Sequence, residues 1–199
     1  MSRPVIFFRL EGTDMNLPRF SLLLIALLLT VTACGSSGGG GGVITPSLAA
    51  SFTADQPAPG PDMVSLNEGS KTGDLVTVDI QVTDISGVFG AAFDVTYDPS
   101  MATFENWFSG SLLEQGGQTP TYQINSTQSG QLVISVARLG NVGGADAVGT
   151  VTLIRLTFRV TQTGSSSISF PGIPTLLDAQ TQPQPIFVSG WFGGMIVGT

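Results

Sequence analysis

Leu75-Val76-Thr77-Val78-Asp79-Ile80-Gln81-Val82 decides the fold class. After its first residue it alternates strictly, with Val76, Val78, Ile80 and Val82 on one side and Thr77, Asp79 and Gln81 on the other. Successive side chains of an extended chain point to opposite faces, so a period of two marks a strand with one face buried and one in water. Val151-Thr152-Leu153-Ile154-Arg155-Leu156-Thr157-Phe158-Arg159-Val160 repeats the pattern over a longer stretch. Its late alternation sets Ile154, Leu156, Phe158 and Val160 against Arg155, Thr157 and Arg159, and a central place in a sheet is expected. Ala91, Phe93, Val95 and Tyr97 alternate with Ala92, Asp94, Thr96 and Asp98 until Asp98-Pro99-Ser100, where the proline removes a ladder donor and favours a turn.

Outward from these three, the second of which is expected over residues 150–161, further strands are expected at residues 63–66, 102–107, 121–125, 131–138, 166–170 and 187–197. Gly or Pro punctuates most gaps, and 26 Gly and 12 Pro beside only 11% charged residues make a turn-rich composition. No convincing amphipathic helix and no internal repeat interrupts the series. Roughly nine short strands in about 140 residues predict an all-β fold, an antiparallel β-sandwich of two packed sheets.

The amino-terminal third reads differently. Phe20 to Val31 is an apolar run of twelve residues, too short to span a bilayer comfortably and of signal-peptide length. Arg19 precedes it, and Val31-Thr32-Ala33-Cys34 after it resembles the lipobox of bacterial lipoproteins. The resemblance implies cleavage before Cys34, a diacylglyceryl thioether on its sulfur and a further acyl chain (a palmitate-type modification) on the new amino terminus. Several acyl chains give stable anchoring where one gives marginal binding. The alternatives are an ordinary secretory signal with a coincidental cysteine, or an uncleaved anchor. Glu11 and Asp14 sit badly in a positive leader, so Met15 competes with Met1 as the start. Residues 1–33 are thus expected as a signal helix that is removed.

Residues 34–61 are expected as a disordered Gly/Ser/Pro linker. Gly35-Ser36-Ser37 and the five glycines 38–42 cost too much backbone entropy to order, and Pro46, Pro57, Pro59 and Pro61 favour an extended spacer. Such a tether either lifts a binding head from the membrane or only clears the lipidation machinery. The folded domain is expected to span 62–199.

Charge and residue counts narrow the function. The absence of His removes the commonest general base and metal ligand, so no catalytic residue, metal or cofactor is assigned. The net charge is −7; removing Arg3, Arg9, Arg19, Glu11 and Asp14 with the leader leaves −8. Lys71, Arg138, Arg155 and Arg159 are then the only cations, too few and too dispersed to hold a run of phosphates, which excludes nucleic acid as a partner. Cys34 is the only cysteine, so the domain has no internal disulfide and is expected to be a monomer held by its core. Seven acids (Asp74, Asp79, Asp84, Asp94, Asp98, Asp146, Asp178) invite a search for calcium or a hydrolytic carboxylate pair. None lies in an EF-hand-spaced loop, and solvated turn acids are the simpler reading, although a sandwich can bring distant carboxylates together. Asn125-Ser126-Thr127 fits a glycosylation sequon and is read as accidental.

Gly90-Ala91-Ala92-Phe93-Asp94-Val95-Thr96-Tyr97-Asp98-Pro99 is similar to the glycine, alternating-apolar, Tyr-Asp-Pro signature of the cohesin family, and it is the first of five segments that resemble that family in order. Gly110-Ser111-Leu112-Leu113 resembles the segment after its fourth strand, and Gly130-Gln131-Leu132-Val133-Ile134-Ser135-Val136 its sixth strand. Gly149-Thr150-Val151, leading into Leu153 to Phe158, and Ile186-Phe187-Val188-Ser189-Gly190 resemble its long apolar strand and its closing strand. The resemblance covers nearly all of 62–199 and implies a jelly-roll-like sandwich that binds dockerin modules, the partner carrying calcium. It places the docking surface on the outer face of one sheet, here Ala92, Asp94, Thr96, Gln123, Val133, Ser135 and Ala137. The same sandwich superfamily includes carbohydrate-binding modules, and Trp107, Tyr122 and Trp191 are the candidate platform for stacking a polysaccharide. The sequence shows no dockerin, scaffold repeat or enzyme domain, a departure from a classical cellulosome. The expectation is a non-catalytic binding module, lipid-anchored in the bacterial cell envelope and facing periplasm or exterior. A structural envelope or assembly protein is the remaining reading.

Overall fold

The computed structural model describes residues 47–199; the expected signal helix, lipobox and glycine tether, with Cys34, lie outside them. Among the described residues, thirteen strands form three sheets. In chain order they are β1 (Ala50–Ala54), β2 (Met63–Thr72), β3 (Leu75–Thr83), β4 (Gly90–Thr96), β5 (Ala102–Ser109), β6 (Thr121–Gln128) and β7 (Gln131–Ala137). They continue with β8 (Thr150–Val160), β9 (Gly164–Ile168), β10 (Thr175–Leu177), β11 (Pro185–Ile186), β12 (Gly190–Phe192) and β13 (Gly194–Gly198). A 3-10 turn, Gln115–Gly117, lies between β5 and β6.

Two five-stranded sheets, ordered β12-β2-β3-β8-β5 and β11-β10-β4-β7-β6, face each other. The alternating residues of β3 explain why. Val76, Val78, Ile80 and Val82 are completely buried, and they meet Leu156 and Phe158 of β8 and Phe93, Val95, Leu132, Ile134 and Val136 of the opposite sheet in one core. Phe158 joins the layers, with its ring centroid 5.2 Å from Tyr97 and 5.9 Å from Phe104. The chain crosses repeatedly from one sheet to the other, which gives the jelly-roll-like β-sandwich its winding.

The strand count exceeds the roughly nine expected, for identifiable reasons. Residues 187–197 divide at Gly193 into β12 and β13, which belong to different sheets. β12 pairs with β2 in parallel, so the sandwich is antiparallel except at this edge. β10 and β11 are two or three residues long and carry no readable periodicity. The folded region also begins before Asp62: β1 pairs over its full length with β13, and Ala50 and Phe52 enter the core. Its five residues look like linker because only Phe52 is large and apolar; the pairing that makes them a strand lies about 145 residues away along the chain. β8 is flanked on both sides but lies one strand from the edge, with β3 at the centre.

Two glycines of the family-like segments have a steric reason. A Cβ on Gly110 would run into the Thr152 carbonyl and the Leu153 backbone, where the chain leaving β5 crosses β8. Gly130 closes the β6–β7 hairpin with φ +81°, and its carbonyl accepts the Tyr97 N–H at 2.9 Å. The Asp98-Pro99-Ser100 turn forms as expected: Asp98 Oδ1 accepts the Ser100 N–H at 2.8 Å and the Ser100 hydroxyl at 2.7 Å.

Candidate functional site

β4, β7 and β6 lie side by side, and the pleat divides their residues. Ala91, Phe93 and Val95, like Leu132, Ile134 and Val136, point into the core. Their neighbours point out. Register sets Thr175, Ala92, Ser135 and Gln123 in one cross-strand row and Asp94, Val133 and Asn125 in the next. Thr96 faces Gln131, and Ala137 faces Gly90 and Thr121, in the flanking rows. All seven residues expected on a docking surface (Ala92, Asp94, Thr96, Gln123, Val133, Ser135 and Ala137) therefore share one outward sheet face.

Its chemistry is mixed. Ala92 and Ser135 are exposed with short side chains, so backbone of a partner can approach closely, while half-exposed Val133 adds apolar area. Asp94 Oδ2 accepts Gln131 Nε2 at 2.8 Å, and its other oxygen is free for a partner among the described residues. Thr96 Oγ1 lies 3.1 Å from Ser169 Oγ, tying one end of the face to the segment after β9. That segment adds a residue the sequence reading missed. Ile173 is 93% exposed, and with Pro171 it walls a cleft of about 310 Å³ whose floor is Ala92, Asp94, Val133 and Ser135. The signal was present in Pro171-Gly172-Ile173-Pro174, where a large apolar residue stands between turn residues and has no strand to bury it. Phe187, directly after β11 at the edge of the same sheet, is 73% exposed.

The three candidate stacking aromatics do not converge. Trp107 on β5 and Tyr122 on β6 lie against each other, with centroids 5.0 Å apart and planes at 33°. Trp191 instead packs among Phe93 and Phe170, at 5.6 and 5.1 Å. Burial, reinforced by the nearby Glu114 carboxylate, pushes the Tyr122 phenol up to about 12, so it stays protonated.

The acids are spread through the fold. Arg159 pairs with Asp74 at 2.6 Å and with Glu105 at 2.9 Å. Asp84 accepts the Gly149 N–H at 2.7 Å, Asp146 accepts the Gly87 N–H at 2.8 Å, and Asp178 accepts the Gln184 N–H at 2.8 Å. Asp79 is buried beside Arg155 and Thr152, and that burial outweighs both partners and raises its carboxyl above the ordinary range. Among the described residues, no three His, Cys, Asp or Glu side chains come together as a metal site requires.

Comparison with known proteins matches the family model described as Cohesin domain to residues 63–192. Among solved structures, a type II cohesin–X-dockerin complex of Acetivibrio cellulolyticus, mutated at its N-terminal interface, aligns with TM-score 0.52 and 17% identity, covering 65% of this chain and 92% of that one. The sixth cohesin of that organism's scaffoldin B, bound to a mutant dockerin, gives 0.51 and 21%, over 73% and 96%. A type II cohesin domain from its cellulosome gives 0.51 and 16%, over 76% and 95%. At these identities the likeness is one of fold. No curated protein matches.

Proposed function

The chain belongs to the cohesin family, and on that footing we propose that the outward face of β4, β7 and β6 docks an exported protein carrying a dockerin-type module, the head itself performing no catalysis. The observation that carries this reading is the convergence of all seven anticipated residues on one outward sheet face, bordered by exposed Ile173. Two of the similar structures are cohesins in complex with dockerins, which supports the same class of partner.

The physical basis is ordinary interface chemistry. Ala92, Ser135 and Ala137 keep the surface low, Val133 and Ile173 supply apolar area that loses water on contact, and Asp94 offers a carboxylate to a partner's cation. None of the seven carries an aromatic ring, so these residues offer a polysaccharide no surface to stack on. On this reading lipidation at Cys34 would anchor the chain in the cell envelope and the glycine-rich sequence after it would serve as a tether, while Leu48 and Ala49 already belong to the head: Leu48 packs on the core and Ala49 pairs with Thr199.

The test is capture from the native exported proteins with the full chain as bait, with and without a calcium chelator. We expect chelator-sensitive retention of an exported protein containing paired acidic calcium loops, lost when the bait carries Ser135→Arg. Equal capture by the Ser135→Arg bait, or retention on insoluble polysaccharide alone, contradicts the proposal.

A further inference from the structure

β5 ends one sheet and β6 ends the other, so the side of the sandwich where they meet has no strand to close it. Trp107 and Tyr122 fill this opening from the two edges, both half-buried and both packed on the core. Above them lies an open groove of about 390 Å³, within the range of small-ligand sites. Glu114, Gln118, Thr119 and Ser109 form its polar wall, supplied mainly by the segment that links β5 to β6. Among the described residues, the side chains of Glu114 and Gln118 make no hydrogen bond.

We infer that this groove is a carbohydrate subsite taking a pyranose ring of a neutral glycan. The aromatic pair, with planes tilted 33° to each other, offers exposed apolar ring surface against which the C–H face of a sugar packs. Around it stand a carboxylate that accepts, an amide that donates and accepts, and hydroxyls that do either, the set that ring hydroxyls require. The acidic character of the chain, −7 overall, disfavours glycans bearing carboxylates or sulfates. Tyr122 points inward from β6 while its neighbour Gln123 points outward, so the groove shares no residue with the β4–β7–β6 face. Protein and glycan can be held at once, and the inference does not rest on the docking reading.

The experiment titrates the full chain, in a polyoxyethylene detergent free of sugar, with the hexasaccharides of β-1,4-linked glucose, xylose, mannose and N-acetylglucosamine. A proline-rich decapeptide serves as the competing ligand class, and the heat of binding by titration calorimetry is the readout. We expect saturable binding of at least one hexasaccharide, retained by Trp191→Phe and weakened about tenfold or more by Trp107→Ala. Because Trp107 also seals the sandwich, Glu114→Gln and Gln118→Ala are measured beside it; each leaves the packing untouched and is expected to weaken the same sugar several-fold with an unchanged melting temperature. Ser135→Arg, on the other face, leaves sugar binding unchanged. Binding of no hexasaccharide, sugar affinity unmoved by Trp107→Ala and Gln118→Ala, or binding of the peptide alone overturns the inference.

Discussion

Asp79 points out of the central strand β3, yet it is only 6% exposed, because the bulge at Gly69 folds over it and Thr152 and Arg155 flank it. Burial raises its carboxyl, so folding opposes its ionisation. A raised acid favours the fold most below its unfolded pKa and loses that contribution as pH rises through its folded one. Asp79→Asn removes the titration. Its stability relative to the parent, from urea unfolding between pH 4 and 8, is expected to improve with rising pH by about 1 kcal/mol or less; a relative loss with rising pH contradicts the assignment. Glu68 shows the opposite balance. Burial raises it, but the Phe52 N–H at 2.7 Å and Lys71 at 2.9 Å together prevail and hold it below the usual carboxylate range. Gly110→Ala forces a methyl into the β8 backbone and is expected to cost about 3 kcal/mol or more by the same unfolding measurement. Residue-level legibility followed this division. The Tyr97-Asp98-Pro99 turn was readable because its chemistry is local. Asp79 gave no sign of burial, since alternation put it on the watery side and the covering Gly69 bulge is a matter of register.

The strands that carry the fold were readable wherever one face meets the core for five or more residues, as in β3, β4, β7 and β8. The face of β4 and β7 was readable for the same reason, because a period of two that fixes the inner residues also fixes the outer ones. Only the place of β6 beside β7 needed the family resemblance, and β10 on the other side of β4 was not expected at all. β1, β10 and β11 were not legible, because strands so short exist through their partners. β1 supplies a check. Phe52 lies 6% exposed between the third sheet and the main core, so Phe52→Ala is expected to cost about 3 kcal/mol or more, a value that a linker residue could not give. Ala92→Arg and Ser135→Arg, both on the exposed face, are expected to shift stability by less than about 0.5 kcal/mol while abolishing partner capture. Unfolding curves and binding isotherms on the same samples separate the two effects.

At the scale of the whole molecule, the proposed docking face and the proposed groove lie on different sides of the sandwich. Anchoring is an expectation carried by the lipobox-like Val31-Thr32-Ala33-Cys34, outside the described residues; mass spectrometry of the native protein is expected to find an acylated amino-terminal Cys34, and Cys34→Ser is expected to move the protein out of the membrane fraction. The groove at Trp107 was only half legible: the aromatics were visible, but which of three would meet depended on which strands end the two sheets. The central claim concerns the docking face, and hydrogen–deuterium exchange of the full chain with and without the captured partner tests it most directly. Protection is expected in β4, β7 and β6 and in the segment around Ile173, with β2, β3 and β8 unchanged. Protection confined to β2, β3 and β8, or to the groove beside Trp107, would contradict it.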